Sequence, residues 1–349
     1  MPNAIPSTEY YTDIDVREDE ILRSDPKLLR LLLADKTTGG NILWATSDYA
    51  SMGMQYNANA QILPELITGE NKLLIRPRIS KEKAEKASRT REKAEVFTPA
   101  WVCNKQNNLV DSAWFGRSGV FNTETEKGWI ENSEPIVFDD PKKPWNKYVD
   151  AQRLEITCGE APYLVSRYDT VTGEKLPLQR RIGLLDRKLR VVGENTASEE
   201  EWCKWAQRAF ESVYGYEYQG DNLLLARENL LFTYIDYYIA RFGKAPSAKL
   251  THKIALIISW NIWQMDGLKF VVPNSCYEDP ILSDQIRWDV DDGDMAIVDQ
   301  LSMKSKCPGC SSGNIYKHNG IYCKIQDWRH KTSKRFVDMI RKEKGNGNK

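Results

Sequence analysis

Between Ser198 and Leu268 the chain alternates helix-like and strand-like pieces, and each strand-like piece closes on an acidic residue. Ser198 and Glu201 are spaced as a capping box. Trp202, Trp205, Ala206, Ala209, Phe210 and Val213 then recur at helical spacing. Tyr216-Glu217-Tyr218 reads as a short buried strand. Gly220-Asp221 opens a second helix carrying Leu224, Ala226, Asn229, Leu230, Phe232, Ile235 and Ile239. Ser247 can cap a third, through Ile254, Ile257 and Ile258. Asn261-Ile262-Trp263-Gln264-Met265-Asp266 is a further strand, closed by Gly267-Leu268. A repeated helix–strand unit of this kind predicts a mostly parallel sheet flanked by helices. Acids at the C-terminal ends of such strands face one crevice, where open α/β sheets bind ligands.

Upstream, Leu154-Glu155-Ile156 reads as another strand, running into a tight turn through Thr157-Cys158-Gly159-Glu160-Ala161-Pro162 and then a helix. Before it, Phe97-Thr98-Pro99 has the form of a helix start, with Thr98 as N-cap and Pro99 at the first helical position. The amides of such a start can hold a carboxylate. Residues 165–197 read as an insertion with hairpin character, and 111–150 as an irregular connector with little helix. Nearer the N-terminus, Leu28, Leu29, Leu31, Leu32 and Leu33 crowd one helix. Asn41-Ile42-Leu43-Trp44-Ala45-Thr46 and Leu73-Leu74-Ile75 are predicted strands.

Lys+Arg and Asp+Glu both number 49 in 349 residues, so any contact with nucleic acid must rest on local patches. Two patches stand out. Residues 76–93 hold Arg76, Arg78, Lys81, Lys83, Lys86, Arg89, Arg91 and Lys93 against three glutamates. They form either a solvated helix with internal ion pairs or a phosphate-facing surface. Arg180, Arg181, Arg187, Lys188 and Arg190 leave the same two readings. No run approaches the roughly 18 apolar residues of a membrane span. Seven cysteines behind an acidic, polar N-terminus point to reduced thiols and a cytoplasmic setting.

The order of these elements resembles the adenine-specific DNA methyltransferases of restriction–modification systems. Phe97-Thr98-Pro99 is similar to their Phe/Ile-Thr-Pro element. Leu154-Glu155-Ile156-Thr157-Cys158-Gly159-Glu160 is similar to their Leu-Glu-Pro-Ser-Cys-Gly-Glu turn. Tyr214-Gly215-Tyr216-Glu217, followed by Leu225-Ala226-Arg227-Glu228-Asn229-Leu230, is similar to their strand and helix with a ribose-binding acid. Asn261-Ile262 through Asp266-Gly267-Leu268 is similar to their Asn-Ile-x-x-x-Asp-x-Leu segment, whose acid meets the adenine amino group. The resemblance implies a Rossmann-like sheet over residues 94–300 that binds S-adenosylmethionine. Its cofactor-binding residues would be Phe97, Thr98, Pro99, Glu155, Thr157, Cys158, Gly159, Glu160, Glu217, Tyr218, Asp266, Gly267 and Leu268. It also implies double-stranded DNA as partner. The sequence departs from the family in three ways: Ala161 stands at the second glycine, residues 165–197 are inserted, and the catalytic Asn/Asp-Pro-Pro-Tyr/Phe motif is absent. No Pro-Pro pair occurs in the chain. The absence implies either a second polypeptide (a catalytic chain or a restriction subunit) or an inactive DNA-binding or assembly module. No catalytic residue is assigned.

Residues 1–93 form an N-terminal α+β extension on this reading, and 301–349 a small Cys-rich segment with a basic tail. Within the latter, Cys307-Pro308-Gly309-Cys310 followed by His318 and Cys323 is a zinc-like set, with His330 competing for the place of His318. Structural zinc and unliganded thiols are both open at this point.

Overall fold

The strand that begins at Val213 is buried from end to end, and the chain is arranged around it. In the computed structural model, which describes residues 18–81, 98–280 and 304–340, this strand is the middle one of a three-stranded parallel sheet. Helices α1 (Glu18–Ser24), α2 (Pro26–Leu33) and the one-turn α3 (Pro64–Ile67) come first. Helix α4 (Ala100–Phe115) leads to the hairpin β1 (Asn122–Thr125) and β2 (Gly128–Glu131), then α5 (Trp145–Asp150). The sheet is built from β3 (Arg153–Glu155), β4 (Val213–Glu217) and β5 (Ile262–Gln264). Between β3 and β4 lie α6 (Leu184–Asn195) and α7 (Glu199–Glu211). Between β4 and β5 lie α8 (Gly220–Phe242) and α9 (Ala248–Asn261). The register pairs Glu155 with Gly215 and Glu217 with Gln264. The expected mixed α/β architecture is present, with the parallel strands in the expected places.

Local chemistry explains these elements. Ser198 Oγ accepts from the Glu201 amide at 3.1 Å, the first half of the capping box, and Glu201 reaches back one residue past the cap to the Ala197 amide at 3.2 Å. Ser247 caps α9 through the Leu250 amide, and Asp25 caps α2 through the Leu28 amide. The leucines of α2 at 28, 29, 32 and 33 are buried.

Arg227, wholly buried in α8, ties three elements together. Its guanidinium donates to Leu32 and Ala34 at the end of α2, Ser259 near the end of α9 and Ile262 at the start of β5. Helix-terminal carbonyls have no intrahelical partner, and Arg227 supplies one. Asn261 closes α7 against β4 in the same manner, donating to Phe210 and Val213 carbonyls at 3.0 Å.

One sheet face meets the long helices. The other presents Tyr214, Tyr216, Trp263 and Met265 to the C-terminal segment, where Cys323, Ile325 and the partly buried Phe336 pack on it. That segment follows the two-residue antiparallel pair β6 (Asp279–Pro280) and β7 (Lys304–Ser305), and contains α10 (Pro308–Ser312), the hairpin β8 (Lys324–Asp327) and β9 (Thr332–Arg335), and α11 (Phe336–Ile340).

Several local expectations are corrected. Residues 41–46 make only isolated bridges, because the Gln264 side chain partners the Leu43 peptide: its Oε1 accepts at 2.7 Å and its Nε2 donates at 2.8 Å. Leu73, Leu74 and Ile75 lie in turns, not a strand. The insertion keeps one bridge, Tyr168 to Lys175, but its second half is the helix α6, with Val191 and Val192 in its buried face. The connector 111–150 contains the end of α4, a hairpin and α5. Among the described residues no helix is long and apolar enough to cross a membrane.

The basic cluster at 180–190 is not a phosphate-facing surface, since its middle is core. Arg187 pairs with Asp111 at 2.5 Å and with Asn104 and Asn108 at 2.8 Å, over the Phe121 ring. Lys188 donates to the Ala151 carbonyl and Ser212 Oγ. Arg181 pairs with Asp236 at 2.6 Å.

Candidate functional site

A cleft of about 840 Å³ opens at the C-terminal ends of β3 and β4. Such crevices are where parallel sheets bind ligands. Its walls come from the turn after β3, from Glu217, Tyr218, Gln219 and Asn222 at the junction of β4 and α8, from Ala45–Ser47 and Ala58, and from Thr98.

The turn after β3 is shaped by three left-handed residues at alternate positions: Thr157 (φ 47°), Gly159 (φ 52°) and Ala161 (φ 63°). Only the glycine adopts this conformation without steric penalty. Hydrogen bonds hold the turn in place. Cys158 donates its amide to the Tyr216 carbonyl at 2.9 Å, and Ala161 to the Cys158 carbonyl at 2.7 Å. Cys158 is buried against the glycine of β4: a Cβ on Gly215 would lie 3.3 Å from the Cys158 sulfur.

Two carboxylates line the floor. Glu217 Oε2 accepts from the Gly159 amide at 2.8 Å, and Oε1 from the amides of Tyr218 and Gln219. Burial pushes its carboxyl up, against the pull of these amides. Glu155 accepts from Tyr163 at 3.3 Å and Leu164 at 3.1 Å. Burial pushes Glu155 up to about 8, and the nearby Glu217 charge adds to the shift. No lysine or arginine is among the described residues that line the cleft.

Of the expected cofactor residues, Thr98, Glu155, Thr157, Cys158, Gly159, Glu217 and Tyr218 line this cleft together. Phe97 lies outside the described residues. Pro99, not Thr98, is the N-cap of α4, and no side chain of its own fills that role. Asp169 takes the helix start instead, accepting from the Ala100 amide at 2.7 Å. Glu160 is turned away, accepting from the Arg78 amide and the Tyr168 hydroxyl, each at 2.7 Å. Asp266, Gly267 and Leu268 are not in the lining. Asp266 folds back on the Leu268 and Lys269 amides and pairs with Lys269 Nζ at 3.2 Å. Gly267 packs on the Tyr216 ring, and Leu268 is exposed. Tyr163, Gln219, Asn222 and the 45–47 segment join the site without having been singled out. Their signal is weak: Gln219 and Asn222 flank a helix start directly after an acid, and Ala45–Ser47 carry no motif.

The basic stretch at 76–93 is described only to Lys81. Lys81 is buried and pairs with Asp221 at 3.4 Å, so at least this cation faces inward at the head of α8.

A second constellation lies beyond β5. Cys276, Cys307, Cys310 and His318 bring their ligand atoms within 4.8 Å of one another, a Cys3His set that could hold a metal ion. The fourth ligand is Cys276, not Cys323. Cys323 is buried on the sheet face, with its thiol donating to the Gln264 carbonyl at 3.3 Å. His330 also stays apart, paired with Asp327 on the β8–β9 hairpin. Cys276 was missed because it stands 31 residues before Cys307, outside any motif spacing. No cysteine forms a disulfide.

No family model, curated protein or solved structure matches the chain.

Proposed function

We propose that the cleft over β3 and β4 binds S-adenosylmethionine, and that the chain is the cofactor-binding, methyltransferase-like subunit of a DNA adenine modification or phage-defence system. The Rossmann-like character of the sheet belongs to this reading, as does double-stranded DNA as partner. The observation that carries it is the polar lining of the cleft: two buried acidic side chains that offer oxygen acceptors and, among the described lining residues, no cation. A phosphate-rich dinucleotide would find no cationic partner among them. A ligand with a sulfonium, an ammonium and vicinal hydroxyls would meet acceptors.

When bound, the cofactor supplies a methyl group on a positively charged sulfur. The chain's own residues bind and orient it. Glu217 has lone pairs beyond those used by its three amides and accepts from ribose hydroxyls. The left-handed turn at 157–161 places Thr157, Cys158 and Gly159 in the cleft wall. Glu155 fixes that turn from beneath by holding the amides of Tyr163 and Leu164. The sequence has no Pro-Pro motif to orient a target base, and a partner chain would contribute that part. The same reading takes zinc as the ion of the Cys3His cluster, because thiolate and imidazole donors suit it.

Calorimetry with S-adenosylmethionine tests the cofactor. Binding is expected, with Glu217→Ala weakening it by at least about tenfold, or 1.4 kcal/mol. Absence of binding by the folded wild-type protein would sink the reading. The absent Pro-Pro motif favours a second reading, an inactive DNA-binding or assembly module. Coexpression with the neighbouring reading frame separates the two: adenine methylation supports the subunit, whereas salt-dependent DNA binding without methylation supports the module.

A further inference from the structure

The four-ligand cluster has the dimensions of a filled metal site. His318 Nδ1 lies 3.6 Å from each of the sulfurs of Cys276, Cys307 and Cys310. A tetrahedral ion with Zn–S near 2.3 Å and Zn–N near 2.0–2.1 Å has a sulfur–nitrogen edge of about 3.5 Å. All three edges meet that figure at once. Outer contacts suit thiolates: the Asn319 amide donates to Cys307 Sγ at 3.3 Å. Gly309, between Cys307 and Cys310, leaves no room for a side chain, since a Cβ there would lie 2.5 Å from His318 Nδ1. Gly320 also packs on Cys276, with a Cβ position 3.0 Å from its amide nitrogen. The backbone is therefore brought up tightly from both sides of the loop.

The position of Cys276 gives the site a consequence for the cleft. Two residues earlier, Asn274 sits in the left-handed region (φ 58°) and spans to the cleft wall. Its Oδ1 accepts from the Tyr218 hydroxyl at 3.0 Å, and its Nδ2 donates to the carbonyls of Ala45 at 3.2 Å and Ala58 at 3.4 Å. Tyr218, Ala45 and Ala58 all line the cleft. The loop is bound to the C-terminal segment by Val272 to Ile321, Ile321 to Ser275 and Asn319 to Tyr277. Three of its four metal ligands come from that segment.

We propose that Cys276, Cys307, Cys310 and His318 hold one structural zinc ion, and that this ion clamps the Asn274 loop so that it orders the Tyr218–Ala45–Ala58 wall of the cleft. The coupling rests on the zinc reading of the cluster and is independent of which ligand the cleft takes. With four protein ligands the ion has no open position, so its role is to hold, not to react.

The test uses the full chain. Elemental analysis after zinc reloading is expected to give about one zinc per chain. Cys276→Ser and Cys310→Ser lose it, and Cys323→Ser keeps it. Hydrogen exchange of the wild-type protein, before and after chelation, is expected to show lost protection around 274–278 and also at 44–46, 58–60 and 217–219. A wild-type chain that takes up no zinc overturns both the metal reading and the coupling. Zinc kept by Cys276→Ser and lost by Cys323→Ser overturns this ligand set. If Cys276→Ser fails to fold, unchanged exchange at 274–278 on chelation of the wild type overturns it equally. Zinc held as expected, with the cleft wall unchanged on its removal, overturns the coupling alone.

Discussion

The Gly159 amide donates to Glu217 Oε2 at 2.8 Å, so the turn after β3 is closed by the acid that ends β4. The same carboxylate holds the amides of Tyr218 and Gln219, at the head of α8. One side chain thus fixes two cleft walls before any ligand arrives. Replacing it with alanine strands three backbone donors in a site where Glu217 is 7% exposed. Each buried unsatisfied donor costs roughly 1–3 kcal/mol, less whatever water recovers from the cleft side. Glu217→Ala is expected to lower stability by about 2–4 kcal/mol in urea denaturation, and Glu217→Gln by clearly less, because one oxygen still accepts. Equal losses for both would show that charge, not hydrogen-bond capacity, is what the turn needs.

Glu155 makes stability depend on pH with a definite sign. Its carboxyl is pushed up to about 8 in the folded chain, against about 4.3 when unfolded. Between those values the folded state binds the extra proton, so stability falls as pH rises. The contribution is fully present below about pH 4.3 and is lost as pH passes through about 8, to an extent on the order of a few kcal/mol. Glu217 and Asp186, also raised by burial, act in the same direction. Glu155→Gln removes only its own share. Denaturation midpoints at about pH 4, 6 and 8.5 should therefore converge for wild type and variant at the acid end and separate in the variant's favour at the alkaline end. Parallel profiles would show that Glu155 titrates normally.

What the sequence made legible was local or charge-determined. The Ser198 cap, the apolar spacing of α7 and the acid that ends β4 depend on neighbours within a few residues, and each stands where its pattern put it. Ala161 was visible as a departure from glycine, and it takes the left-handed conformation a glycine would take more easily. What was not legible depended on distant partners. Arg187 and Lys188 look like surface charge until Asp111, Ala151 and Ser212 arrive from other elements. Asp266 was expected to end a strand, but β5 stops at Gln264, and the turn after it satisfies Asp266 first, as short carboxylates often do. Cys323 had the better spacing for a metal, yet tertiary packing put Cys276 there.

Arg227 offers the severest test of the fold. Its Nε donates to Ile262 at 2.8 Å, its Nη1 to Leu32 at 2.5 Å and Ala34 at 3.0 Å, and its Nη2 to Ser259 at 3.3 Å. All its acceptors are carbonyls. Burial pushes this guanidinium down to about 10, so it stays charged at neutral pH. Two of the carbonyls lie in the last turns of α2 and α9, where the helix dipoles favour a cation. Arg227→Met fills the space but leaves four acceptors without a donor. At roughly 1–3 kcal/mol for each one that water cannot reach, the loss should exceed about 4 kcal/mol, a large part of a typical domain's stability. Arg227→Lys restores the charge but not the planar fork that spans three elements, and should recover only a minor part. Denaturation midpoints and soluble yield measure both variants. A methionine variant within about 1 kcal/mol of wild type would mean that these carbonyls find other donors and that α2, α9 and β5 hold together without Arg227.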